Sequence, residues 1–318
     1  MRAIRYHEYG SPDVLRSEEI GRPSPKRGEV LVAVRAAGIN PVDAKFRDGS
    51  YPQGSLPKIP GSDFAGVVDA VGDDVDEFAV GDRVFGTGLG IDRQGTCAEY
   101  GVATTTHLAT LPDGIAFTVG AGIGLVGVTA WEGLIETAEL AVGDRCLVHG
   151  GSGGVGHVAV QLASAAGASV VATAAEQYHD RVRALGADTV LSYDRPDLAS
   201  AIGDAGAPDV VLDHRIDQHI ELNTEIASQG ARIVAIDSTA PELRYPDSGL
   251  ARAKMHTLYH FAMISLSDYS STLGLIARLL ESGTITAEVA RTYDLADTDQ
   301  AHRDVAETSF LGKAVVVP

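Results

Sequence analysis

Residues 145–166 read RCLVHGGSGGVGHVAVQLASAA. An apolar run reaches His149, a glycine-dense loop follows, and HVAVQLASAA then carries apolar residues at helical spacing. Gly151, Gly153 and Gly156 match G-x-G-x-x-G. Gly151 is expected to let the chain turn, Gly153 to let the backbone approach a pyrophosphate, and Gly156 to let the helix pack close to the sheet. The N–H groups that open the helix would receive the phosphate charge. Such a motif is weak alone; its place between a strand and a helix gives it weight.

Downstream, the alternation continues. Strands are expected at Ser169–Ala174, Thr189–Tyr193, Asp209–Asp213 and Arg232–Asp237, with helices at Tyr178–Leu185 and near Gln218–Ser228. The strand runs CLVH, VVAT, VVLD and IVAI are near-continuous in apolar residues, as a parallel sheet covered on both faces requires. This is a doubly wound α/β domain. Upstream, Thr118–Thr137 reads as a long helix. The stretch before it is rich in strands and turns, with Glu29–Ala37, Phe64–Val71 and Arg83–Phe85 extended. Its eight prolines, from Pro12 to Pro112, exclude long helices. The tail adds a strand around Leu258–Ile264, a helix Tyr269–Leu280, a strand Val289–Leu295, a helix Thr298–Glu307 and a strand Ala314–Val317.

Composition narrows the function. The chain has 318 residues, 43 acidic against 25 basic, and a net charge of −18. That balance argues against nucleic acid and anionic membrane as partners. No stretch reads as reaching the ~18 apolar residues of a membrane span, and MRAIRYHEYG lacks the apolar core of a signal. Cys97 and Cys146 make neither a disulfide framework nor a zinc cluster, so a cytoplasmic setting is expected. Arg outnumbers Lys 20 to 5, and Asp outnumbers Glu 27 to 16. A GC-rich genome gives such a bias. A high-salt cytoplasm, where carboxylates are screened over ~3 Å at 1 M, accounts better for the charge and predicts that molar KCl raises stability or activity.

The second strand of the α/β domain ends at Ala174-Ala175 with no acid before Glu176. An acid there would hold a ribose 2′-OH, so its absence favours NADP over NAD. Arg181, Arg183 and Tyr193 are candidates to reach a 2′-phosphate. The front region offers His7, His107 and Cys97 at no ligand spacing, so no metal is expected. Reduction without a metal suits quinones or polarised C=C bonds. The loop GINPVDAKFRDGSYPQGSLPKIPGSDF, residues 38–64, carries Asn40, Asp43, Arg47 and Tyr51. Tyr51 can donate to an oxyanion as hydride arrives, and Asn40 can orient substrate or nicotinamide.

With these segments in order, the chain resembles the zinc-free branch of the medium-chain dehydrogenase/reductase superfamily, above all the NADPH:quinone oxidoreductases of the zeta-crystallin group. The resemblance runs through MRAIRYHEYGSPDVL, AAGINPVD, PGSDFAGVVDAVG, GVTAWEGL, HGGSGGVGHVAVQLA, RALGAD, QGARIVAI and GKAVVVP. It implies a GroES-like β-rich catalytic domain at 1–122, a Rossmann cofactor domain at 123–264, and a C-terminal return at 265–318 that completes the first. It implies NADP(H) as cofactor and homodimers or tetramers. Asn40, Asp43 and Tyr51 would line the substrate and nicotinamide pocket, and Thr129 the nicotinamide side. The pyrophosphate would lie on Gly151, Ser152, Gly153, Gly154, Val155 and Gly156, and the adenosine end by Ala175, Arg181, Tyr193 and Asp217. Strand ends Val234, Ala235, Ile236 and Tyr259, His260, Phe261 would face the nicotinamide, with Lys313 in the terminal Gly-Lys.

Three departures stand out. Gln177 replaces the basic residue that often follows the second strand. Asp213-His214-Arg215-Ile216-Asp217 replaces the usual Asp-x-Val-Gly-Gly. Lys45 and Phe46 stand where relatives carry tyrosine or aliphatics. The expected activity is hydride transfer from NADPH to a quinone in an interdomain cleft. The alternatives are reduction of a 2-enoyl thioester or alkenal, or cofactor binding with little turnover.

Overall fold

The computed structural model describes residues 1–245 and 247–318. By its contacts the chain divides into two units: Met1–Val128 with Leu266–Pro318, and Thr129–Ser265.

The second unit is built on six strands, in the order Thr189–Ser192, Ser169–Ala174, Arg145–Val148, Val210–Asp213, Arg232–Ala235, Thr257–His260. Every pairing is parallel. The apolar runs are buried on both faces, with Leu147, Val171, Leu191, Val211 and Ile233 packed against Ile202, Ile216 and Ile220 of the covering helices. Since all strands point one way, their carboxyl ends share one edge. The strand order reverses between Arg145–Val148 and Val210–Asp213, which makes that pair the switch point where open α/β sheets receive ligands. The strand expected over Leu258–Ile264 is shorter: pairing ends at His260, and Met263–Ser265 form a 3₁₀ turn. A helix at Leu198–Ala205 was not expected.

In the first unit, strands pair in the order Val289–Asp294, Lys313–Val317, Glu29–Ile39, Asp63–Val71, Arg83–Gly86, Leu108–Thr110, with Tyr100–Thr104 on Glu29–Ile39. The returning tail strand sets Ala314 opposite Ile39, and the next pairing sets Gly38 opposite Asp63. Register alone thus gathers residues from three distant parts of the sequence. Residues 41–48, expected as loop, are the helix Pro41–Asp48. Pro41 sits at its first position, where the missing N–H costs nothing, and Gly49 stops it at φ 85°. The expectation that no segment is span-like is also corrected. Phe117–Thr137 forms one helical stretch of 21 residues, long and apolar enough to cross a membrane, but 67% buried within the protein as a core helix is.

Candidate functional site

The glycine loop follows the strand Arg145–Val148 and enters the helix Gly154–Ala165, with Gly153 as its N-cap. The positive φ that turns the chain belongs to Gly150, at 69°, rather than to Gly151. Gly156 packs on the loop itself: a Cβ there would lie 2.0 Å from the Gly150 carbonyl oxygen. The loop is closed on itself, with Gly153 N–H donating to Gly150 O at 2.8 Å. Helix geometry leaves the N–H groups of its first turn without intrahelical acceptors, facing the carboxyl edge of the sheet.

The other residues expected around a dinucleotide fall along the same edge. Ala175 follows Ser169–Ala174, Tyr193 follows Thr189–Ser192, and Val234 to Ile236 close Arg232–Ala235. Tyr259, His260 and Phe261 end the outer strand. Arg181 and Tyr193 are exposed, while Ser152 and Thr129 are buried. Asp217 is committed to the chain: it accepts from Ser238 Oγ at 3.0 Å and from Thr239 N and Oγ1 at 2.8 and 2.6 Å.

Under the loop lies a set of side chains that motif reading passed over. Asp213, fully buried, accepts from Arg215 N at 2.8 Å, His219 Nδ1 at 2.9 Å and Asn223 Nδ2 at 2.7 Å. Burial alone would raise its pKa. The His219 hydrogen bond, with the His149 and His219 rings nearby, more than offsets this and holds Asp213 at about 2. His149, buried beside it, is pushed down to about 4 by burial, against the pull of Asp213.

In the first unit the register brings Asn40, Asp43, Ser62, Asp63 and Lys313 together, all at most 3% exposed. Asn40 Nδ2 donates to Asp63 at 2.8 Å, and Asn40 N to Asp43 at 2.8 Å. Asp43 also accepts from Ser62 Oγ at 2.7 Å, and Asp63 from Leu125 N at 2.8 Å. The Lys313 ammonium donates to Asn40 Oδ1 and to Ile39 O, and lies 3.8 Å from Asp63. Burial pushes Asp43 up to about 6, with the Asp63 charge adding to it. It also raises Asp63 and lowers Lys313, each opposed by the other. Lys313, expected at the cofactor, is instead spent inside this network, since a buried ammonium must find its acceptors in the chain. Arg47 is likewise buried, donating to Gly10 O at 3.0 Å and meeting His302 at 3.2 Å.

Tyr51 stands apart from the network. It is 51% exposed, just past the helix stop, with its N–H on Lys45 O at 2.9 Å and Lys45 Nζ 5.4 Å from its ring centre.

The donors fit zinc poorly. In the first unit the two aspartates face an ammonium. Among the described residues, the group His149, Asp213 and His219 has donor atoms within 4.8 Å of one another. Its two rings stack at 4.3 Å and 26°, so their in-plane lone pairs run side by side instead of converging. Both imidazoles already bond to the chain, His149 Nε2 to Asn223 and His219 Nδ1 to Asp213.

Comparison with known proteins agrees with this layout. Residues 26–113 match the alcohol dehydrogenase GroES-like domain, and residues 185–316 the zinc-binding dehydrogenase family. A quinone oxidoreductase of Mus musculus is 31% identical, across 97% of this chain and 95% of its own. The crystal structure of an NAD-dependent alcohol dehydrogenase matches with a TM-score of 0.94 at 30% identity, covering 100% of both chains. That of Escherichia coli quinone oxidoreductase complexed with NADPH matches with a TM-score of 0.89 at 26% identity, again over 100% of both.

Proposed function

The chain belongs to the medium-chain dehydrogenase/reductase superfamily, a family of oxidoreductases, and from that premise we propose that it is an NADPH-dependent, zinc-independent quinone reductase. The observation that carries this reading is the glycine loop at the switch point, closed on itself and opening a 12-residue helix. Its first-turn N–H groups are the anion receptor a pyrophosphate needs. NADPH over NADH is supported by Ala175, which leaves no acid at the second strand end, and by the exposed Arg181 on the following helix. Zinc independence is supported by Lys313, whose ammonium supplies the cation among Asn40, Asp43 and Asp63.

When bound, the nicotinamide supplies the hydride. Tyr51 donates its O–H to the acceptor oxygen as negative charge builds there, and Lys45 adds positive potential beside the ring. Asn40 and Asp43 act by position: they fix the start of the helix whose end sets Tyr51. The homodimer also remains part of this proposal.

Steady-state assays with quinone and enoyl-thioester panels, each with NADPH and NADH, test the reading. Quinones with NADPH should give the highest kcat/KM. Enoyl thioesters ahead by orders of magnitude would refute the quinone assignment. Tyr51→Phe should lower kcat by roughly 10–100-fold with NADPH affinity unchanged.

A further inference from the structure

The buried groups beneath the glycine loop form a continuous, directional chain of hydrogen bonds. Asn223 donates through Nδ2 to the ionised Asp213, so its Oδ1 is left to accept from His149 Nε2–H at 2.9 Å. That bond assigns the tautomer: His149 carries its proton on Nε2 and presents Nδ1 as a lone pair. The lone pair faces Thr173 Oγ1 at 3.5 Å, the long end of a hydrogen bond. Thr173 Oγ1 in turn accepts from Gly150 N–H at 3.0 Å, and Thr173 O accepts from Gly151 N–H at 2.7 Å. Every donor along the path has one acceptor, and only one orientation satisfies all of them. The path ends on the residue whose positive φ turns the loop. His214 closes the other side, because its ring packs where a Gly150 Cβ would stand, 2.5 Å away.

We propose that Asp213, Asn223, His149 and Thr173 are positioning residues that hold the glycine loop in its anion-receiving shape before any dinucleotide arrives. The inference rests on the reading of this loop as the pyrophosphate site. A loop ordered in advance spares the ligand the cost of ordering it, so the relay acts on affinity and leaves the hydride step alone. Asp213 anchors the chain because its three N–H donors keep it ionised, and a fixed anion fixes the direction of each bond above it.

Thr173→Val keeps the shape and volume of the side chain and removes the hydroxyl; Thr173→Ser restores it. Amide hydrogen exchange in the ligand-free protein is measured alongside NADPH and NADH titrations by fluorescence. Thr173→Val should speed exchange at Gly150 and Gly151 at least tenfold while the amides of Val210–Asp213 stay as protected as before. It should also weaken NADPH binding about tenfold with kcat at saturation within twofold. Thr173→Ser should recover both. Unchanged loop exchange and unchanged affinity would overturn the proposal, as would equal loosening of loop and sheet, which means a purely structural role. If the parent protein binds neither nucleotide, the cofactor reading fails instead, and the exchange comparison still decides whether the relay sets the loop.

Discussion

Each unit buries a fully enclosed aspartate, and the two are answered in opposite ways. Asp63 is met by an ammonium, an amide and a main-chain N–H, with a second carboxylate, Asp43, inside the same network. Asp213 is met by three N–H groups, one of them on the His219 ring, with the His149 ring beside it and no carboxylate raising its pKa among the described residues. Burial therefore wins in the first unit, raising Asp63 and pushing Asp43 to about 6, and loses in the second, where Asp213 falls to about 2. Lys313 is the strongest pull on Asp63 and still does not outweigh burial, whereas at Asp213 the His219 hydrogen bond and the charges of His149 and His219 together do.

The sharpest way to break this comparison is to remove one partner from each network. Lys313→Met leaves Asp63 buried without its cation and strips Asn40 Oδ1 and Ile39 O of their donor. The expected cost is about 3–5 kcal/mol, read from denaturant unfolding. Adding Asp63→Asn should return a large part of it, because the neutral amide no longer needs a counter-charge. Asp213→Asn should cost less, about 1–3 kcal/mol, since it turns one donor against its neighbours but buries no net charge. An Asp213→Asn loss equal to that of Lys313→Met would mean the networks are not different in kind.

A second test uses pH, because the units are predicted to respond with opposite sign. His149 has a folded pKa of about 4, below the unfolded 6.5. Its contribution is full above 6.5 and lost as pH falls toward 4, amounting to about 3 kcal/mol. Asp43 has a folded pKa of about 6, above the unfolded 3.8. Its contribution is full below 3.8 and lost as pH rises through 6, again about 3 kcal/mol. Unfolding measured from pH 4 to 7 should therefore lose its acid limb in His149→Gln and its alkaline limb in Asp43→Asn. Both variants shifting the same limb would show that the groups titrate as one system.

The same contrast explains what sequence reading reached. The second unit is repetitive: each strand is a short apolar run, each helix follows within a few residues, and the G-x-G-x-x-G loop marks the edge that matters. Local pattern placed most elements there, with Ser169–Ala174 at its expected bounds, though not the helix Leu198–Ala205. It missed Thr173, a polar residue in an apolar strand, and Asn223, one polar residue among many in its helix, because neither carries a spacing signal. In the first unit the decisive contacts join positions 40, 63 and 313, and only the antiparallel register brings these together. Proline density at 41–60 also disguised the helix Pro41–Asp48, although Asn-Pro followed eight residues later by glycine is a start and a stop. Asp63 had one available clue, its place in PGSDF directly after a glycine-serine turn.

The smallest expected effects concern a substitution that both units share, lysine where this chain otherwise uses arginine. Of five lysines, Lys58 donates to Gln53 O, Gly90 O and Ile91 O at 2.9, 2.7 and 2.6 Å. Lys254 donates to Glu225 O and Ala227 O at 2.6 and 2.9 Å, closing the end of the helix Ile216–Ile226. An ammonium can aim three hydrogens at converging carbonyls, whereas a planar guanidinium spreads its donors in one plane. Lys58→Met should cost about 2 kcal/mol, because it leaves three main-chain acceptors with less to bond inside the fold. Lys254→Met, at a half-buried helix end where water takes over part of the work, should cost about 1 kcal/mol. Arginine at either place should recover less than half of the loss. If Lys254→Arg were as stable as the parent while Lys58→Arg were not, the tripod would matter only where carbonyls are cut off from solvent. The retention of Lys254 would then carry no structural meaning, and the contrast between the units would extend to their cations as well as their carboxylates.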